Sequence, residues 1–258
     1  MDIEKIDLEY ASVGKFSSLS SDGVQHQKVL PYLSIAQALE GSYDIALANA
    51  PRENTSVCGF FIAPSGVEQT ITHNADKITG RMTCRWVFLK VKINNVHYLD
   101  SLYQFPVILP ESVKGEMSKF FDALFQADSV ADQYICYYQI VKLLLQVAGK
   151  KESAPPPYIV RTMEYIENHY PEKITVEDMA KAANLSAAHF FAVFKREMGV
   201  SPMAYLNHYR LSIAAELLLR TELSVTEIAA SVGISDPVYF NKCFKKVYQI
   251  PPTQYRNK

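Results

Sequence analysis

Between residues 175 and 255 the chain repeats itself. Residues 175–186 read TVEDMAKAANLS and residues 224–235 read SVTEIAASVGIS, an offset of 49 (235 − 186). One extra residue then lengthens the offset to 50, which pairs Phe190 with Phe240, Phe194 with Phe244 and Lys195-Arg196 with Lys245-Lys246. The match continues from Ser201-Pro-Met-Ala-Tyr205 into Pro251-Pro-Thr-Gln-Tyr255. A sequence duplicated at this period specifies one supersecondary unit twice. No other feature of the chain limits its possible folds as strongly.

Each copy has the residue order of a helix-turn-helix. Thr175 and Ser224 are N-cap types, and Asp178 and Glu227 stand three residues later, as in a capping box. Ala180 and Ala229 are small where two helices must cross closely. Asn184 and Gly233 tolerate the left-handed backbone that a tight turn needs. Ser186 and Ser235 are read as N-caps of the following helix, which Phe190/Phe194 and Phe240/Phe244 anchor to the core. Between the copies, Ser201 and Pro202 open a helix expected to run over 202–220. At 1.5 Å per residue that rod is about 28 Å long. Successive major-groove faces on one side of B-DNA repeat at about 34 Å. A rod of this length sets two reading heads about one helical turn apart.

Residues 158–257 resemble the DNA-binding domain of AraC-type (AraC/XylS) transcriptional regulators. The resemblance rests on Leu185-Ser186, Phe194-Lys195, Gly199-Val-Ser-Pro202, Tyr205-Leu206, Arg210-Leu211, Ala214-Ala-Glu-Leu-Leu218, Glu227-Ile-Ala229, Val232-Gly-Ile234, Tyr239-Phe240, Phe244-Lys-Lys246 and Pro251-Pro-Thr-Gln-Tyr-Arg256. It covers about 100 of 258 residues. It implies a two-domain α+β protein. The C-terminal part would be an all-α tandem helix-turn-helix, and the N-terminal part a cupin-like β-barrel for sensing, with dimerisation helices. That N-terminal half resembles the family by layout and not by motif.

On the expected recognition helices the residues between the anchoring phenylalanines face outward. In the first copy these include Ala188, His189, Phe191, Ala192 and Lys195; in the second, Pro237, Val238, Tyr239, Asn241, Lys242 and Lys245. The first set departs from the family in offering almost no donors to base edges. Its alanines and Phe191 suit thymine methyl groups, whereas Asn241 and Lys242 can hydrogen-bond bases. Sharper base reading is therefore expected from the second head; packing within the core is the alternative for Phe191. Lys195, Arg196, Lys245 and Lys246 are expected to clamp phosphates, with backbone amides near Ser186 and Ser235; the alternative is solvated helix-end cations. The overall charge is −1, but residues 186–258 hold 9 Lys/Arg against 5 Asp/Glu, or +4. Affinity for DNA should then be moderate and salt-dependent.

A composition break at Gly149-Lys-Lys-Glu-Ser-Ala-Pro-Pro-Pro157 marks a linker, taken as residues 150–157, because three prolines favour a stiff extended chain. Before it, residues 1–110 look β-rich, with strands expected within 57–64, 69–73 and 82–93. Helices are expected at 111–125 and 131–148, a region of dimerisation. The second helix carries two apolar stripes, one on Tyr134, Tyr137, Tyr138, Val141, Leu144, Leu145 and Ala148, the other on Cys136, Ile140, Leu143 and Val147. Either one face meets a partner subunit or both are core.

The content of 48% hydrophobic residues fits globular domains and excludes a mostly disordered chain. MDIEKIDLEY lacks the apolar stretch of a signal peptide, and no run suits a membrane span, so a cytoplasmic protein is expected. Four isolated cysteines supply neither a disulfide framework nor a zinc cluster. With His26, His73 and His97 the only histidines before residue 155, no metal, cofactor or enzymatic activity is expected. A small-molecule effector is expected instead, walled by Phe60, Phe61, Trp86, Phe88 and Tyr103 and anchored by His26, His73, Arg81 or Arg85. The alternative is a ligand-free regulator whose N-terminal half only dimerises or binds a protein. Expected partners are double-stranded promoter DNA, a second copy of the chain and, if it activates, RNA polymerase.

Overall fold

The computed structural model describes residues 3–19, 22–48, 50–152, 155–248 and 250–256. Its strands up to the first helix are β1 (Ile6–Ser18), β2 (Gln25–Val29), β3 (Leu33–Glu40), β4 (Ser42–Leu47), β5 (Glu53–Asn54), β6 (Phe60–Ala63), β7 (Glu68–Asn74), β8 (Met82–Ile93) and β9 (His97–Tyr98). There follow α1 (Leu99–Leu102), β10 (Tyr103–Gln104), α2 (Glu111–Gln126), α3 (Val130–Val147) and β11 (Gly149–Lys150). The remainder is helical: α4 (Pro157–His169), α5 (Val176–Ala182), α6 (Ala187–Met198), α7 (Pro202–Arg220), α8 (Val225–Ser231), α9 (Pro237–Tyr248) and α10 (Pro252–Arg256). Two compact units result. The first holds Met1–Gln25, Tyr32–Ser65 and Ile71–Ala154; the second holds His26–Pro31, Gly66–Thr70 and Pro155–Lys258.

Strand alternation layers the first unit. One sheet runs β1-β8-β3-β6, with β9 on β8, and a second includes β4, β5 and residues 71–74 of β7. Successive side chains point to opposite faces. Leu33, Ile35, Phe60, Ile62, Val87 and Leu89 therefore pack on one face of the first sheet, against Met117, Phe121, Ile140 and Leu144 of α2 and α3. Ala36, Ala38, Phe61, Ala63, Met82 and Cys84 turn the other way, onto Tyr43, Ile45 and Ile71. This is the expected cupin-like β-domain with appended helices. The strands expected within 57–64, 69–73 and 82–93 are β6, β7 and β8. The long β1 escaped the sequence reading. It lies at a sheet edge, so its sequence, IDLEYASVGKFSS, needs no buried run. It nonetheless pairs along β8 from Ile6 opposite Ile93 to Ser18 opposite Met82.

Two expectations about the helices need correction. The stripes of α3 do not divide into a core face and a partner face. Tyr137, Val141 and Leu144 from one, and Cys136, Ile140 and Leu143 from the other, are buried in a single core. What stays exposed is Val130, Tyr134, Ile135 and Tyr138, near the helix start. The two stripes lie close enough around the helix to share one wide apolar face. The expected linker, 150–157, is structured at both ends, and residues 153–154 within it lie outside the described residues. Gly149–Lys150 pairs with Tyr103–Gln104, and Pro157 is the first residue of α4 with Pro156 as its N-cap. Proline suits a first helical turn because its missing N–H has no partner there anyway.

In the second unit α7 is the expected 19-residue rod over Pro202–Arg220, opened by Ser201, whose Oγ accepts from the Ala204 amide. Phe190 and Phe194 fill a core with Met179, Ala180 and Leu206, while Phe240 and Phe244 fill another with Ile228, Ala229 and Leu218. All four rings are fully buried. Each contributes about 1.5–3 kcal/mol by leaving water. Among the described residues no helix is long and apolar enough to cross a membrane.

Candidate nucleic-acid interface

The two halves of the repeat fold alike because matched residues make matched contacts. The Thr175 hydroxyl accepts from the Asp178 amide, and the Asp178 carboxylate accepts from the Thr175 amide at 2.9 Å. Ser224 and Glu227 do the same, the return bond being 2.7 Å. These bonds hold both carboxyls below their ordinary range, the partner's hydroxyl first and its amide second. Asn184 and Gly233 take the left-handed turn at φ 58 and φ 80. Phe194 meets Tyr205 edge-on at 5.8 Å, and Phe244 meets Tyr255 edge-on at 5.3 Å. The Pro-x-x-Tyr match thus marks the same aromatic joint twice.

The recognition helices are α6 and α9. With Phe190 and Phe194 turned inward, Ala188, His189, Phe191, Ala192 and Lys195 are exposed. Phe191 is 42% exposed, which removes it from the core. On α9 Val238, Tyr239, Asn241, Lys242, Lys245 and Lys246 are exposed, and Pro237 is half-buried. Val238, at 79%, is the more prominent apolar residue there. The Asn241 amide nitrogen donates one proton to the Pro237 carbonyl one turn back at 2.8 Å. The Tyr239 hydroxyl accepts from Asn207 on the rod at 3.5 Å.

Two cap expectations change. Ser186 occupies the N-cap position of α6 but makes no side-chain cap bond. Ser235 is not the cap of α9. Asp236 takes that role, its Oδ1 accepting from Val238 at 2.8 Å and Tyr239 at 3.2 Å. The extra residue that shifts the offset from 49 to 50 moves the cap one place along, directly before Pro237. Asp-Pro at a helix start was a legible signal for this. Arg196 is exposed and pairs with its neighbour, Nη2 to Glu197 Oε1 at 2.6 Å and Nε at 3.0 Å, a pairing open to water that contributes little by itself. Lys195, Arg196, Lys245 and Lys246 are exposed at the far ends of the two helices.

The expected effector residues divide: Trp86 and His73 both lie on the side of Tyr43, whereas Arg85 faces the other way. Arg85 and Trp86 are neighbours on β8 and face opposite sides of the sheet. Arg85 is buried against α2. Its Nε donates to Gln37 Oε1 at 2.7 Å, Nη1 pairs with Asp122 at 2.7 Å, and the guanidinium lies 5.4 Å from the Phe121 ring centroid. It fastens a helix to a sheet. Trp86 faces inward, close against Gly14. His73 stands edge-on to Tyr43 at 5.2 Å, and His26 belongs to the other compact unit. Phe60 and Phe61 likewise part to opposite faces.

Comparison with known proteins places the duplicated unit. Residues 179–258 match a family described as a helix-turn-helix domain. The lactose operon transcription activator of Staphylococcus xylosus is 36% identical over 99 residues, 38% of this chain and 36% of that protein. The chain carries an AraC-type helix-turn-helix domain. The same AraC-type domain aligns with the HTH-type transcriptional regulator MtrA of Neisseria gonorrhoeae, 44% identical over 81 residues, 31% of this chain and 27% of that one. The chain thus spans about a third of the length of these relatives. Around the AraC-type domain the fold as a whole is similar to ToxT from Vibrio cholerae O395, with a TM-score of 0.70 at 10% identity, covering 96% of this chain and 98% of that one.

Proposed function

We propose that this protein is a transcription regulator that binds double-stranded promoter DNA in sequence-specific fashion, one recognition helix in each of two successive major-groove segments. The reading rests on a single observation: two like-folded heads, each presenting an exposed helix with lysines at its far end, joined by one continuous 19-residue rod. The relatives' names, a transcription activator and a transcriptional regulator, point the same way. Base reading is assigned mainly to Asn241 and Lys242, with apolar contacts to thymine methyls from Ala188, Phe191, Ala192 and Val238. Phosphate contacts fall to Lys195, Arg196, Lys245 and Lys246. Such a protein works in the compartment that holds the DNA, the cytoplasm of a bacterial cell, and an activator would also meet RNA polymerase.

The first unit is proposed to dimerise through the exposed start of α3. For effector control, one set of observations favours the second reading, a ligand-free regulator. Arg85, expected to anchor an effector, is instead engaged by Gln37 and Asp122 beneath α2. The test is selection of duplexes from a random pool by the full chain, followed by binding titrations. Asn241→Ala and Lys242→Ala should relax preference at particular base pairs. Lys245→Ala should weaken all duplexes alike and lower the salt slope by about 1. Equal losses on selected and random duplex for all three variants would refute the division of labour.

A further inference from the structure

The two copies of the repeat differ at one joint, and the difference is informative. Each head is preceded by a helix, α4 or α7, and Arg161 on α4 corresponds to Arg210 on α7 at the repeat's offset of 49 (210 − 161). Arg161 serves its own head: its Nη2 donates to the Ala183 carbonyl, at the end of α5, at 3.0 Å. Arg210 is turned elsewhere. Its Nε donates to the Tyr170 carbonyl at 2.7 Å and its Nη2 to the Glu172 carbonyl at 2.6 Å. Both acceptors lie in the segment that leads from α4 into the first head. These carbonyls stand just past the end of α4, where a helix leaves acceptors without partners and favours a cation.

The matched turn residues differ in the same way. The first turn uses Asn184, whereas the second uses Gly233, and a Cβ on Gly233 would stand 2.6 Å from the Pro171 carbonyl oxygen. The backbone of Tyr170 and Pro171 therefore rests directly on the second head's turn. Tyr170 also packs on Tyr209 of the rod, with ring centroids 5.3 Å apart. Rod, second head and the segment leading to the first head thus meet at residues 170–172. Arg210 is 7% exposed. Its rigid planar fork reaches two carbonyls at once, which a lysine cannot match.

We propose that Arg210 is a positioning residue: by holding the Tyr170-Pro171-Glu172 segment against the rod and the Gly233 turn, it fixes the separation and angle of the two recognition helices. It touches no DNA. The inference rests on the proposed two-head reading, and its first test is independent of DNA. Spin labels carried on unnatural side chains at Lys195 and Lys245 of the full chain report the separation of the helices by pulsed dipolar spectroscopy. Wild type should give one narrow distance distribution. Arg210→Ala should broaden it at least twofold, and Arg210→Lys, which keeps the charge and one bond, should fall between them. Equal widths for wild type and Arg210→Lys, together with a folded Arg210→Ala of wild-type width, overturn the proposal. If Arg210→Ala does not fold, the lysine variant decides alone.

The second test uses duplexes recovered by selection with the full chain, with the distance between the two contacted segments varied by single base pairs. Wild type should show a sharp optimum. The Arg210 variants should lose about tenfold at that optimum and show a flattened profile, while keeping their affinity for a single segment. An unchanged profile refutes the positioning role and leaves the two-head reading standing. Failure of wild type to favour any spacing refutes both.

Discussion

Gly233→Ala tests whether the second turn is pressed upon by the chain of the first head. Two costs add. An alanine at φ 80 enters a left-handed conformation, which costs an L-residue about 1–2 kcal/mol. Its Cβ would also lie 2.6 Å from the Pro171 oxygen, and ordinary contact begins at 3.4 Å, so the backbone must move by about 0.8 Å (3.4 − 2.6). That backbone is held by Arg210 through bonds of 2.7 and 2.6 Å, and a movement of this size loosens at least one of them. A hydrogen bond to a charged group contributes about 1.5–3 kcal/mol. The expected loss is therefore about 2.5–5 kcal/mol. Three companions separate the causes. Asn184→Ala meets only the conformational cost, about 1–2 kcal/mol. Asn184→Gly relieves it and should lie within about 0.5 kcal/mol of wild type. Gly233→Asn tolerates the left-handed turn as Asn184 does, and so isolates the collision. Urea unfolding of the full chain followed by circular dichroism gives the totals, and hydrogen exchange assigns each loss to α8 and its neighbours. A Gly233→Asn variant as stable as wild type would falsify the claim that the 170–172 segment bears on this turn.

Three further outcomes follow from the same contacts. The carboxyls of Asp178 and Glu227 are held below their ordinary values of 3.8 and 4.5, so the stability they supply is complete above those values and is lost as pH falls through the lowered ones. The melting temperature of the second unit should drop below about pH 4, and Asp178→Asn with Glu227→Gln should flatten that acid limb; an unchanged limb contradicts the capping bonds. Arg85→Met should destabilise the first unit by about 1–3 kcal/mol, chiefly because the buried Gln37 oxygen loses its donor. The Asp122 partner is 60% exposed, and an ion pair so open to water adds little. The single tryptophan, Trp86, reports this unfolding by fluorescence, and a wild-type midpoint would show that Arg85 does not fasten α2. Ile135→Asp, at a side chain 56% exposed on α3, should shift the full chain from dimer to monomer in sedimentation with no loss of helical signal; an unaltered dimer places the contact elsewhere.

What could be seen in the sequence follows from how local its physical signals are. The capping boxes, the left-handed turn residues, the buried phenylalanine pairs and the full length of the rod each depend on residues within one or two turns of one another, and all were legible. The cap of α9 was misplaced by one residue because Ser235 matched Ser186 in the alignment, although Asp236-Pro237 carried the stronger local signal. The N-terminal unit was harder. β1 sits at an edge, so half of its length needs no apolar pattern. Phe60 and Phe61, or Arg85 and Trp86, look like one cluster along the chain, yet consecutive strand residues face apart. Arg210 was visible only as part of a family resemblance. Its partners lie about 40 residues away (210 − 170) in a segment without a motif, and nothing local to either end announces the contact.

Hydroxyl-radical footprinting of the full chain on a selected duplex tests the two-head engagement most directly. Two protected backbone segments are expected on one side of the helix, their centres about 10–10.5 base pairs apart. Asn241→Ala should weaken base discrimination in only one of them. A single protected segment, or two on opposite sides of the duplex, would contradict that engagement.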